Sequence, residues 1–168
     1  MMSNTNDERC RNLLIALRKM IQAIDRHSTN LKKKFGLTGP QLILLQSISA
    51  HDKISVTQLS KNVSLSQATV TDITKRLENR NYITRTRDID DKRKTNIALT
   101  ENGKAILNTV PPLLQEQFTE RFSKLESWEQ LMIESSFERV VSMMSAEDID
   151  ASPILVTGSM GPIDQNKL

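Results

Sequence analysis

The sequence has a single cysteine, Cys10, so it carries no internal disulfide framework and no multi-cysteine metal site. Its only histidines, His27 and His51, have no second ligand at metal spacing, and neither a metal nor a cofactor is expected. Aromatic residues are few: Phe35, Tyr82, Phe118, Phe122, Trp128 and Phe137. The core must then come mostly from Leu, Ile, Val and Met. Five glycines and five prolines in 168 residues suit a mainly helical chain. Those glycines, at 36, 39, 103, 158 and 161, form no phosphate-cradling loop. With no Ser or Cys nucleophile motif, and acidic residues placed mostly on helix faces, an enzyme is not expected. No run of eighteen apolar residues is present, which excludes a helical membrane span. The opening Met-Met-Ser-Asn-Thr-Asn-Asp-Glu has no apolar stretch of the kind a signal peptide needs, and a cytoplasmic location is expected.

Net charge is only +3, but it is unevenly spread. Residues 1–52 hold eight basic and four acidic groups, and residues 53–104 hold eleven and six. Residues 105–168 hold four basic and ten acidic groups. A basic middle beside an acidic last third is the pattern of a localised polyanion-binding face.

The middle is where the local signals concentrate. In Thr57-Gln-Leu-Ser-Lys-Asn-Val-Ser-Leu-Ser66, a short helix with Leu59 and Val63 four apart is broken at Ser64-Leu65-Ser66. Ser66 can cap the next helix by accepting a bond from a free backbone N–H. In that helix Val70, Ile73 and Leu77 recur at three and four residues and define a buried face. Gln67, Thr69, Thr71, Asp72, Lys75 and Arg76 fall on the other face. Two helices joined by a tight turn, the second polar at its N-terminal end, fit a helix-turn-helix entering a DNA major groove. Next come two β-prone runs, Tyr82–Arg87 and Thr95–Leu99, separated by Asp88-Ile-Asp-Asp-Lys-Arg-Lys94, in which six of seven residues are charged. Such a loop must face solvent or a polyanion. The order helix, helix, hairpin is a winged helix-turn-helix.

The run Asp88-Ile-Asp-Asp91-Lys-Arg93-Lys-Thr-Asn-Ile-Ala-Leu99-Thr100-Glu-Asn-Gly103 resembles the wing signature of the MarR family of bacterial transcriptional regulators. There a D-x-R pair in the wing is followed by L-T-x-x-G at the start of the next helix. The resemblance extends from the first long helix to about Met144. It implies a homodimer on a pseudo-palindromic operator in double-stranded DNA, commonly a repressor released by a small-molecule effector or by thiol oxidation. It also implies that Arg93 enters the minor groove while Asp91 holds its guanidinium extended. Ile21–Ser28 together with Gly36–Leu42 is similar to MarR-type regulators found beside compatible-solute (ectoine) genes.

The expected fold is therefore mainly α with a small β-wing. Residues 38–100 form the winged helix-turn-helix, residues 7–36 and 101–145 the dimerisation helices, and residues 146–168 a tail. Leu14, Leu17, Ile21, Ile24, Leu31 and Phe35 make one seam of the first helix, either that of an ordinary core helix or one that packs on a partner's long helix. Lys32-Lys33-Lys34 ends that helix, Gly36 is its C-cap, and Thr38-Gly-Pro-Gln41 is a capping box for a helix with Leu42, Leu45 and Ile48 inward. Ile54-Ser55-Val56 is a candidate third strand. After Thr100, another cap, the apolar positions Ile106, Leu107, Val110, Leu114, Phe118, Phe122 and Leu125 are interrupted by Pro111-Pro112, which predicts a kink or break. Ser127–Gln130 reads as the cap of a last helix with Met132, Ile133, Phe137, Val140, Val141 and Met144 on one face. The tail is either flexible or packed on a partner subunit.

On DNA, Ser66 and Lys75 or Arg76 are placed to fix register on phosphates, as are Lys92 and Lys94 in the wing. Gln67, Ala68, Thr69 and Thr71 face base edges and favour A·T-leaning half-sites. His27 is open to two readings: a partly exposed histidine, or, with Ile24 and Leu45, part of an effector site. Cys10, flanked by Arg9 and Arg11, is either incidental or a redox sensor. The competing class is a winged helix used for protein contacts, against which the basic wing argues.

Overall fold

A computed structural model gives the fold and describes residues 2–87, 95–149, 151 and 154–156. Among these, helices α1 (Met2–Phe35), α2 (Gly39–Ser49), α3 (Val56–Asn62) and α4 (Gln67–Asn79) precede the hairpin. Strand β1 (Ile54–Ser55) lies before α3, and β2 (Ile83–Arg87) and β3 (Thr95–Leu99) form the hairpin arms. Helices α5 (Glu101–Thr109), α6 (Leu114–Phe122) and α7 (Ser127–Met143) follow. The three strands form one antiparallel sheet in the order β1-β3-β2. Ile97 sits opposite both Ile54 and Arg85, and Leu99 opposite Ile83. Because alternate strand residues share a face, Ile54, Ile83 and Ile97 all point inward, and all three are buried.

The core is aliphatic. Leu42, Leu44, Leu45 and Ile48 of α2, Leu59 of α3, and Val70 and Leu77 of α4 are buried with the sheet isoleucines. Helix α2 is buried on more sides than its inward seam required, since Ile43 and Leu44 are covered too; it is the central helix, packed against α3, α4, α5 and β3. The expectation of methionine in the core needs correcting. Among the described side chains no methionine is buried: Met20, Met132, Met143 and Met144 are exposed on α1, on α7 and just past its end.

Local signals set the element ends. Gly36 takes the left-handed conformation (φ +66°) that ends α1, its N–H donating to Lys32 O. Thr38 caps α2, with Gln41 Oε1 accepting from the Thr38 N–H at 3.0 Å. Val56 starts α3 rather than extending β1, because Ser55 turns into an N-cap, accepting from Gln58 N at 3.2 Å. Thr100 caps α5, accepting from Gly103 N at 3.0 Å and donating to Asn81 O at 2.7 Å. The L-T-x-x-G run has a steric reason here: a Cβ built on Gly103 would lie 2.1 Å from the Tyr82 carbonyl oxygen. Only glycine lets α5 approach the base of the hairpin this closely.

Pro111-Pro112 does break the chain, between α5 and α6. The break resets the helical phase, so Leu113, not Leu114, is the residue buried in the core. The cap of α7 is Glu126, one residue before the expected Ser127, because Glu129 reaches back to the Glu126 N–H at 2.9 Å.

Outside the winged helix the apolar faces stay uncovered. Among the described side chains of α1 only Leu31 is buried, and no residue of α6 or α7 is. Leu14, Ile21, Phe118, Trp128, Leu131, Met132 and Phe137 are all exposed, Trp128 at 64%. Of the stretch read as a tail, residues 154–156 lie on this same chain. Ile154 packs against the core, and Leu155 N–H donates to Gln115 Oε1 at 3.2 Å. A Cβ on Gly39 would meet Val156.

Candidate nucleic-acid interface

Helix α4 is held from behind and free in front. Val70 and Leu77 are fully buried and Ile73 nearly so, while Leu65 anchors the turn from α3, with Ser64 at φ +52° completing that turn. Ser66 caps the helix, accepting from Thr69 N at 3.1 Å, and its hydroxyl lies 2.8 Å from that of Thr69. The first turn is thereby fixed with free backbone N–H groups at its open end, which suits an anionic oxygen.

Of the predicted base-facing residues, Gln67 and Ala68 are exposed and Thr69 and Thr71 half-buried. The Thr71 hydroxyl donates to Gln67 O at 2.7 Å, which leaves its methyl and its lone pairs for a partner. Lys75 and Arg76 are exposed along the same helix. Arg76 pairs with Asp72 at 2.7 Å, but both side chains are more than half exposed. Such a pair contributes little, so a phosphate can take over the guanidinium. Asp91, Lys92, Arg93 and Lys94 lie outside the described residues. The arms that carry them are described, with Arg87 exposed at the end of β2.

The other candidates are more scattered. Leu45 is sealed in the core, while Ile24 and His27 are half-buried on α1. His27 Nε2 is buried with no hydrogen-bond partner among the described residues. Cys10 is exposed near the start of α1. Arg80 was given no role from sequence, yet its guanidinium donates to Gly36 O at 2.6 Å and to the Tyr82 hydroxyl at 3.2 Å. The signal available was indirect: Gly36 ends a helix whose last carbonyls need donors.

Comparison with known proteins agrees with this geometry. The MarR family model matches residues 37–95, from just before α2 to the first residue of β3. The regulator SarZ of Staphylococcus epidermidis is 38% identical over 92 residues, 55% of this chain and 62% of SarZ. The chain thus spans less than two thirds of the length of that relative. Among solved structures, a MepR–DNA complex of S. aureus superposes with a TM-score of 0.58 at 21% identity, over 77% of this chain and 96% of MepR. A mutant MarR of E. coli complexed with operator DNA gives 0.54 at 24% identity, over 77% and 94%. These two share the winged-helix fold.

Proposed function

We propose that the chain, whose residues 37–95 match the MarR family model, is a DNA-binding transcriptional regulator. It acts as a homodimer on a pseudo-palindromic operator, as a repressor that a small-molecule effector releases, in the cytoplasm. Genes for compatible solutes are candidate targets, on the resemblance of residues 21–28 and 36–42. The observation that carries the reading is α4: a capped N-terminus, an exposed polar face over Gln67 and Ala68, and exposed cations at Lys75 and Arg76, on a segment (residues 53–104) with five more basic than acidic groups. SarZ is named a transcriptional regulator, and MepR and the E. coli MarR were each solved with DNA, which supports the same reading.

The partner in the dimer is read from the exposed apolar residues of α1, α6 and α7. Contiguous apolar surface on long helices is what a second copy covers. Two heads related by a two-fold axis place half-site centres about 34 Å apart, one turn of the duplex.

Capture of genomic fragments by the protein, followed by sequencing, identifies operator and neighbouring genes together. Affinity for a recovered operator falls steeply as salt rises, because phosphate contacts release counterions. Binding that ignores salt would count against the reading and favour a protein-contact module. Within the wing, Arg93→Ala weakens operator binding by roughly 1–3 kcal/mol and leaves thermal unfolding unchanged. Fluorescence anisotropy and a melting curve on the same sample check both halves of that statement.

A further inference from the structure

Arg80 is the C-cap of α4, and its guanidinium also sits against the C-terminal end of α1. One η-nitrogen donates to Gly36 O at 2.6 Å, the other to the Tyr82 hydroxyl at 3.2 Å, and the guanidinium carbon lies 4.9 Å from the centre of the Tyr82 ring. The C-terminal end of a helix carries a partial negative charge, which a cation stabilises, and at the end of α1 Gly36 O is the acceptor that Arg80 meets. The planar fork of arginine spans two acceptors at once, as a lysine ammonium does not. Gly36 leaves the space for this: a Cβ there would lie 2.9 Å from the nearer η-nitrogen. The turn that carries Arg80 is itself fastened on its far side. Asn81, at φ +56°, accepts from the Thr100 hydroxyl through its carbonyl, and Tyr82 O accepts from Thr100 N at 3.0 Å.

We propose that Arg80 is a positioning residue for operator recognition, a joint that fixes the angle between the long helix α1 and the reading helix α4, rather than a phosphate contact. This rests on the operator-binding reading above. With α1 uncovered along most of its length, Arg80 acts beside Leu31, which is buried, and Phe35, which packs against the core, in tying the end of α1 to the winged helix. Loosening the joint lets each head swing, so a dimer tolerates half-sites at the wrong separation and loses affinity for those at the right one.

Two measurements test this. In the first, no DNA is present: spin labels on native Cys10 and on Lys61→Cys in α3 report the distance between α1 and the head. Labelled chains are diluted into excess unlabelled Cys10→Ser protein, so that one pair is read per molecule. Arg80→Ala broadens the distance distribution, and Arg80→Lys, which keeps the charge and loses the fork, broadens it too. In the second, unlabelled protein is titrated against the captured operator and against the same operator lengthened by one base pair between half-sites. Arg80→Ala lowers affinity for the native spacing about tenfold, flattens the discrimination between the two, and leaves the salt slope unchanged.

A salt slope reduced by about one, with spacing discrimination intact, would make Arg80 a phosphate ligand and overturn the proposal. An unbroadened distribution in folded Arg80→Ala, or wild-type behaviour of Arg80→Lys, would overturn it as well. If the wild-type protein binds no duplex, the operator reading fails, and the DNA-free distances still decide whether Arg80 sets the angle. If Arg80→Ala does not fold, Arg80→Lys and Tyr82→Phe carry the same comparison.

Discussion

In the proposed operator-binding dimer, Phe137→Glu combined with Val141→Glu yields a monomer and lowers operator affinity at least about a hundredfold. The two residues are one helical turn apart on α7 and exposed at 47% and 40% in the single chain. Neither is buried against its own subunit, so the substitutions leave the winged helix folded. Across a two-fold interface each carboxylate appears twice, and four unpaired charges cannot be desolvated without large cost. A lone head keeps its contacts to one half-site but loses the effective concentration the second head supplies, a factor of about 100 to 10,000. Sedimentation velocity reads the mass, circular dichroism the retained helix, and anisotropy the affinity. A double variant that stays dimeric with full operator affinity would show that the α7 strip is not where two copies meet.

Gly103→Ala destabilises the protein by roughly 1–3 kcal/mol, against the direction helix propensity predicts. In an exposed helix the change would stabilise by up to about 1 kcal/mol, because alanine gives up less backbone freedom. Here the added methyl meets the carbonyl oxygen of Tyr82, a backbone atom that belongs to the hairpin base and cannot turn aside as a side chain does. Relief requires α5 to retreat, which stretches the Thr100 bonds to Asn81 and Tyr82. Urea unfolding measures the difference. Asn102→Ala, exposed at the preceding position, is the control and stays within about 0.5 kcal/mol of wild type. A stabilised Gly103→Ala would mean the close approach is not maintained in solution.

How much of this was legible beforehand depended on whether a signal was local. The two-helix unit, its Ser66 cap, the strands Ile83–Arg87 and Thr95–Leu99, and the caps at Thr38 and Thr100 follow from spacing and side-chain chemistry within a few residues. The burial of Leu113 in place of Leu114 was not legible: proline announces a break but not the phase at which the next helix resumes. The one-residue shift of the α7 cap from Ser127 to Glu126 reflects two acceptable caps side by side. Methionine was expected inside on composition, but its placement depends on which helices the winged helix covers by itself. Arg80 was the largest omission at the site. Its partners are Tyr82, two residues on, and Gly36, forty-four residues back, and no periodicity links them.

The scarcity of aromatic rings has a practical outcome. The single tryptophan, Trp128, is exposed on α7 and is no part of the aliphatic core, while the single tyrosine lies under the Arg80 guanidinium. Indole emission therefore says little about whether the winged helix is folded, and shifts to the blue when another surface closes over α7. Tyrosine absorbance, in turn, responds to the loss of the cation stacked on its ring. The molecule thus carries two separate optical reporters, one for assembly and one for the attachment of its reading head.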